Sequence, residues 1–232
     1  MTEFKWFFGV VVDRNDPQQL GRVRIKVQQF HDNDNSQELP NEMLPWATPI
    51  VPIISASISK GQKKEIGLAP VGPIEGTTVF GFFADGSIGR KPFYFGSMFG
   101  IPDNDQKKHE VPSEARGINS INKVYESSEP VSAFAARYPF NKVFKSESGH
   151  LLEIDDTPNK ERIHQYHKSG TYTEINSEGR KVEKIVGDDY EIVVKNKTIY
   201  VRGNVNIKVD GNYTVESAGN MVFKAPKIDF NN

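Results

Sequence analysis

Four groups of residues in this sequence have types and spacings that could carry chemistry. His164 and His167 could be half of a metal site. On a strand, however, residues three apart face opposite sides, and no cysteine or third histidine lies nearby to complete a tetrahedral set. We expect both to be exposed or to face a neighbouring chain. Ser148-Gly149-His150 sets a hydroxyl beside an imidazole, but without the strand, sharp turn and helix of a nucleophile elbow, so Gly149 reads as a turn. The carboxylate pairs Asp155-Asp156 and Asp188-Asp189 fall in turn sequences with no apolar pocket around them, which makes them solvated corners rather than an acid and base. Arg22, Arg24 and Lys26 alternate with Val23, Ile25 and Val27. That pattern turns a basic stripe to solvent or a partner, where it could follow a single nucleic-acid strand or dock on protein. Trp46 reads as a core or interface anchor beside it. No catalytic residue, cofactor or metal is expected.

The elements that would hold these residues are almost all strands. Gly and Pro recur every 8 to 12 residues, β-branched and aromatic residues fill the gaps, and no window sustains a helical apolar period. Residues 4 to 12 and 22 to 30 are expected to form a hairpin through Asn15-Asp16-Pro17 and Leu20-Gly21. Further strands are expected near Ala47 to Ile58, Thr77 to Phe83 and Pro92 to Phe99, and five short strands suggest a small closed barrel over residues 1–100. Residues 101–137 are polar and aperiodic and read as a linker or surface extension. Strands resume at Asn141 to Lys145, His150 to Ile154, Glu161 to His167 and Thr171 to Ile175, giving a β-meander over 138–186.

Composition narrows the function classes. Lys and Arg total 29 against 30 Asp and Glu, a net charge of -1, so no global field attracts nucleic acid or an anionic membrane. The absence of cysteine excludes disulfides, thiolate metal sites and thiol nucleophiles. The apolar run from Trp6 to Val12 is far shorter than the roughly 18 residues a membrane span requires, and reads as a strand rather than a leader.

Residues 187–232 carry the strongest pattern. In eights they read GDDYEIVV, KNKTIYVR, GNVNIKVD, GNYTVESA and GNMVFKAP, followed by KIDFNN. Position one is Gly187, Gly203, Gly211 and Gly219, with Lys195 as the exception, and position two is always Asn or Asp. Each unit is expected to be a short strand plus a corner, the Gly supplying φ > 0. Ile199, Val201, Val205, Ile207, Val209, Tyr213, Val215, Met221 and Phe223 would share the inward face. A lone chain so folded has too narrow an interior and two bare sheet edges. Three chains wound together pair every backbone group at about 4.8 Å and fill the axis, in a rod of roughly 25 Å. A homotrimer is therefore expected.

Several segments also resemble a known family. Trp6-Phe7-Phe8-Gly9-Val10-Val11-Val12-Asp13-Arg14-Asn15-Asp16-Pro17, Leu20-Gly21-Arg22-Val23-Arg24-Ile25, Leu44-Pro45-Trp46-Ala47 and Gly72-Pro73-Ile74-Glu75-Gly76-Thr77 look like an N-terminal OB-fold. Tyr138-Pro139-Phe140-Asn141-Lys142-Val143, Glu147-Ser148-Gly149-His150, Asp155-Asp156-Thr157-Pro158 and Glu161-Arg162 look like the start of an intertwined prism. Together they resemble the central spike of contractile phage tails, as in the tail-associated lysozyme of the large coliphages, and the related type VI secretion Val-Gly repeat proteins. The resemblance implies an all-β homotrimer: an OB-fold barrel docked on a baseplate hub protein, then a triple-stranded β-helix, or β-prism, aimed at the target outer membrane. By that resemblance Arg22, Arg24, Lys26 and Trp46 are the expected hub-docking residues.

Two departures shape the expectation. Only about 35 residues separate Ile101 from Arg137, too few for a lysozyme domain, so no enzymatic activity is expected. No histidine follows His167, so the His-x-His iron tip of some short spikes is not expected, and a separate tip-capping protein is. The expected function is a structural, envelope-puncturing spike in the virion tail baseplate, or in an extracellular contractile injection particle such as a tailocin. A type VI secretion spike is one alternative. An OB-type nucleic-acid-binding module with an oligomerisation tail is another, although the neutral charge and the repeat argue against nucleic acid as a partner.

Overall fold

A computed structural model describes residues 4–31, 39–52, 69–99 and 130–229. The chain divides into two units, Met1–Ser113 and Glu114–Asn232. Both are built from strands. The helical pieces among the described residues are three short ones: α1 (Gln28–His31) and 3-10 turns at Asn41–Met43 and Gly86–Ile88.

In the first unit, β1 (Lys5–Asp13), β2 (Val23–Lys26), β3 (Trp46–Pro49), β4 (Thr78–Phe83) and β5 (Pro92–Met98) close a barrel in the order β1-β2-β3-β5-β4. All pairs are antiparallel except β3 with β5, where Thr48 and Pro49 lie beside Phe93 and Tyr94. Period-two alternation sends Phe7, Val11, Val23, Ile25, Val27, Ala47, Val79, Phe83 and Tyr94 into one core. Closing so small a barrel needs a close approach between β4 and β5. A Cβ on Gly81 would stand 2.1 Å from the Phe93 carbonyl oxygen, and the ladder shifts register between Phe80 and Gly81.

The stretch expected as strand to residue 30 stops at Lys26. The Phe30 and His31 amides both donate to the Val27 carbonyl, at 3.0 and 2.9 Å, and His31 Nδ1 accepts from the Val27 amide at 3.0 Å. This wound turn brings the Phe30 ring to 4.6 Å from Phe83. β3 ends at Pro49, and residues 53–58 of the strand expected there lie outside the described residues. So do residues 101–129 of the expected linker.

The second unit is a five-stranded antiparallel meander: β6 (Asn141–Lys145), β7 (Leu151–Asp155), β8 (Arg162–Tyr166), β9 (Tyr172–Ile175) and β10 (Lys181–Lys184). The turns leading into β7, β9 and β10 share one design. Gly149, Gly170 and Gly179 have φ of 92°, 97° and 77°, and each donates its amide to the carbonyl three residues back.

Residues 187–229 form neither strand nor helix within the single chain, and every one of them is exposed. No backbone–backbone hydrogen bond forms among these described residues. The strand expected in each octad is therefore not made by one chain alone. The period is nonetheless present: the backbone bends at 186–187, 194–195, 202–203, 210–211 and 218–219, each pair ending on position one of an octad.

Candidate docking and assembly surfaces

The basic stripe is built around a loop carboxylate. Asp16, almost fully buried, accepts the amides of Gln18 and Leu20 at 2.9 and 2.8 Å. It also takes a forked pair of bonds from the Arg22 guanidinium, the shortest from Nη2 at 2.6 Å. That guanidinium holds the Asp16 carboxyl well below the usual carboxylate range against the opposing effect of burial, with the loop amides assisting. Arg24 donates to the Asn41 carbonyl at 3.1 Å and lies 3.7 Å from Asp13. Both guanidiniums stand over the Trp46 ring, Arg24 at 4.6 Å and Arg22 at 5.7 Å. Arg22, Arg24 and Trp46 thus meet on one half-buried face, their charges engaged by Asp16 and Asp13, while Lys26 lies further along β2, paired with Val10 in the ladder. Tyr94 reaches this loop from inside the barrel, donating to the Gly21 carbonyl at 2.6 Å. Burial, with the nearby Asp16 charge, pushes its phenol up to about 12.

A second surface was not anticipated as a unit. On the outer side of β1, β4 and β5, Phe4, Trp6, Phe8 and Phe95 are exposed and Phe80, Phe82 and Phe93 half-buried. The rings touch in a continuous chain: Phe4 to Phe82 at 5.2 Å, Trp6 to Phe80 and Phe82 at 5.5 and 5.3 Å, Phe80 to Phe8 and Phe95 at 4.9 and 5.1 Å, and Phe82 to Phe93 at 5.5 Å. The available signal was that β1 is apolar at nearly every position, not at alternate ones, which is the pattern of a strand covered on both faces. Continuous exposed aromatic area of this kind marks an interaction surface.

The residues weighed for metal and acid–base chemistry take other roles. His164 is fully buried, not exposed, and Asp155 lies buried in β7 rather than in a solvated corner. They belong to a charged layer on one face of the meander. Arg162, on β8, ion-pairs with Glu153 on β7 and with Glu174 on β9, the latter at 2.9 Å. His164 Nδ1 lies 3.4 Å from Glu174 Oε2. The segment 130–137 straps over this layer. The Ser132 hydroxyl and Ala133 amide donate to Glu174 at 2.6 and 2.9 Å, and Phe134 lies under the Arg162 guanidinium, 5.0 Å away. Burial alone would raise the Glu174 carboxyl, but His164, the strap donors and Arg162 together hold it well below the ordinary range. Asp155 accepts from both the amide and the hydroxyl of Thr157, which in turn accepts the Arg137 amide at 3.0 Å. Glu153, Arg162 and Glu174 are engaged with the strap or within the sheet, while Asp155 Oδ2, Arg162 Nε and both ring nitrogens of His164 are buried without a hydrogen bond. Ser148 and His150 flank the Gly149 turn, and Asp156 pairs at the surface with Lys142.

The expected trimer core, Ile199, Val201, Val205, Ile207, Val209, Tyr213, Val215, Met221 and Phe223, is exposed throughout, Ile199 to 72% and Ile207 to 68%. The expected φ > 0 at the corners is not found. Gly187, Gly203, Gly211 and Gly219 are absent from the positive-φ glycines, and a Cβ at any of them would meet nothing within 4 Å. In one chain the bends are made without a positive φ at these glycines.

Residues 27–126 match the Gp5 N-terminal OB domain family. The chain is 34% identical over 277 aligned positions to Protein Gp5 of Vibrio phage KVP40, across 91% of this chain and 64% of that protein. It is 44% identical over 88 residues to the Pre-baseplate central spike protein Gp5 of Enterobacteria phage T4, across 36% of this chain and 14% of that protein. The chain thus spans just under two thirds of the first relative and a small part of the second.

Proposed function

The chain is Gp5-like and carries a Gp5 N-terminal OB domain, and from that premise we propose that it is the homotrimeric central spike of a contractile phage-tail baseplate. The observation that carries this reading is the octad segment. It has an eight-residue bend period, apolar side chains left exposed, and no backbone pairing among its described residues. Unpaired strand edges and apolar faces of this length are stable only when other chains cover them. Three copies wound in parallel supply both covers, and corner glycines leave room for a neighbouring strand to approach. The result is a rod that resists bending because bending must break hydrogen bonds between chains.

The spike acts passively. Sheath contraction drives the rod through the outer membrane, and the barrel passes the force from the hub. The aromatic face on β1, β4 and β5 supplies the apolar area for hub docking, with Arg22, Arg24, Lys26 and Trp46 as its polar partners. The chain contributes stiffness rather than catalysis. The same aromatic face could suggest base stacking, but its rings pack on one another, and among the described residues the cations that stand over rings lie over Phe30, Trp46 and Phe134 instead. Phosphate-tracking cations beside the rings are what single-strand binding requires.

Replacing Ile207 with Asp tests the reading, since three carboxylates would meet on one apolar axis. The expected result is a folded barrel and meander, loss of trimer, and particles that contract without delivering DNA. A variant that keeps its trimer and its infectivity would overturn it.

A further inference from the structure

The octad segment carries its charges unevenly. At positions three, five and seven of the octads, charged residues are confined to Asp189, Glu191 and Lys197, all in the first two units, and from Ile199 to Ala225 the same positions are uncharged. The backbone of the single chain already turns this row to one side. In the first octad Val193 is 45% exposed while its neighbours Ile192 and Val194 are 86% and 93% exposed, and in the second Val201 is 47% exposed beside Tyr200 at 80%. The same parity therefore holds on both sides of the bend at 194–195. Across that bend the Lys197 ammonium pairs with the Glu191 carboxylate, their side chains 45% and 60% exposed. Lys208 and Asp210, at positions six and eight, are by contrast 89% and 90% exposed.

We propose that Glu191 and Lys197 form a charge collar between chains inside the end of the shaft next to the meander, each Lys197 lying between the Glu191 carboxylate of its own chain and that of a neighbouring copy. The inference rests on the trimeric reading above and adds to it residues that the apolar core does not contain. A row that faces the axis in the later octads faces it in the first two as well, so winding the chains together brings a Glu191 and a Lys197 from every copy onto the axis. One octad advances the chain by one strand spacing, which sets the two layers about 4.8 Å apart. A lysine at that spacing reaches carboxylates of two chains. Enclosure strips water from these groups, and a buried charge is tolerated where a counter-charge is at hand. Asp189 adds acid on the same row, so Lys197 is held by a surplus of carboxylate. The collar also supplies what the apolar row lacks. Octads three, four and five all open on Gly-Asn and repeat the same uncharged row, so a chain displaced by one octad would still fill the axis. Its Lys197 would then lie level with Val205 of its neighbours, away from any Glu191, and a buried charged or polar group can fix register in this way.

Charge reversal in the full chain tests the collar, with assembly read as solution mass by light scattering. Glu191→Lys gives every chain two collar lysines and Lys197→Glu gives it two collar glutamates, so each variant alone is expected to lose the trimer. The swap Glu191→Lys with Lys197→Glu restores both signs of charge and should assemble, which shows that the reversed side chains themselves are tolerated. Co-expressing the two single variants, one of them carrying an affinity tag, separates pairing between chains from pairing within one. Pairing between chains predicts mixed trimers, with about tenfold more untagged chain retained than when either variant is co-expressed with tagged copies of itself, since like charges set side by side cost several kcal/mol. Single reversals that keep a full trimer, or a mixture no better assembled than its parts, would overturn the collar and leave the trimer standing. A parent chain of single-chain mass would overturn the trimer itself.

Discussion

Replacing Arg162 with Met is the most informative perturbation of the meander. The guanidinium is 2% exposed, bridges Glu153 and Glu174, and stacks over Phe134. Met retains much of the volume but leaves two buried carboxylates without a counter-charge. Removing one partner of a buried ion pair costs about 3–5 kcal/mol. Here one cation serves two anions, which raises the cost. Glu153 keeps a bond from Asn141 at 2.6 Å and Glu174 keeps those from Ser132 and Ala133, which lowers it. A loss of about 4 kcal/mol is expected, a shift in midpoint of roughly 15–30 °C for a unit of this size. Thermal unfolding followed by circular dichroism at one fixed protein concentration reads it, because association shifts the midpoint. The triple variant Arg162→Met, Glu153→Gln, Glu174→Gln removes the uncompensated charge and should recover most of the loss. A single variant within about 1 kcal/mol of the parent, or a triple variant no better than the single one, would refute the charge-layer argument.

Gly81→Ala places a methyl 2.1 Å from the Phe93 carbonyl oxygen and 2.8 Å from the Phe7 ring. It should cost the barrel 1–3 kcal/mol or more by chemical denaturation, roughly the range for overpacking. Because the folded Glu174 carboxyl is held below its ordinary range, its stabilisation is complete above about pH 5 and is lost as acid protonates it in the folded state. The stability gap between the parent chain and Glu174→Gln should therefore be flat from neutral pH to about pH 5 and narrow below about pH 4. Trp6→Ser combined with Phe80→Ser should leave the barrel folded, since both side chains point outward, and reduce incorporation into particles measured by quantitative blotting.

Much of this architecture was legible because burial follows period two. Val23, Ile25 and Val27 go inward as their alternation requires, and Gly149 and Gly170 mark turns where expected. The α1 turn was hidden because four residues are too few to display a helical period, and Gln28-Gln29 after Val27 reads equally well as strand. The meander misled for a different reason. Asp155 and His164 look solvated under the rule that polar residues face water, and that rule presumes the apolar side is the covered one. The octad period survives in the bends, but corner geometry depends on neighbouring strands, and a single chain offers none. The basic stripe at Arg22 and Arg24 was legible in position, while its pairing with Asp16 and Asp13 depends on loop geometry.

In the proposed trimer, one chain leaves its octads unpaired because two others pair with them. Sedimentation equilibrium of the intact chain tests this most directly. A homotrimer should give a single species of three times the 26.1 kDa chain mass, persisting on dilution to nanomolar concentration. A species of one chain mass at micromolar concentration would contradict it.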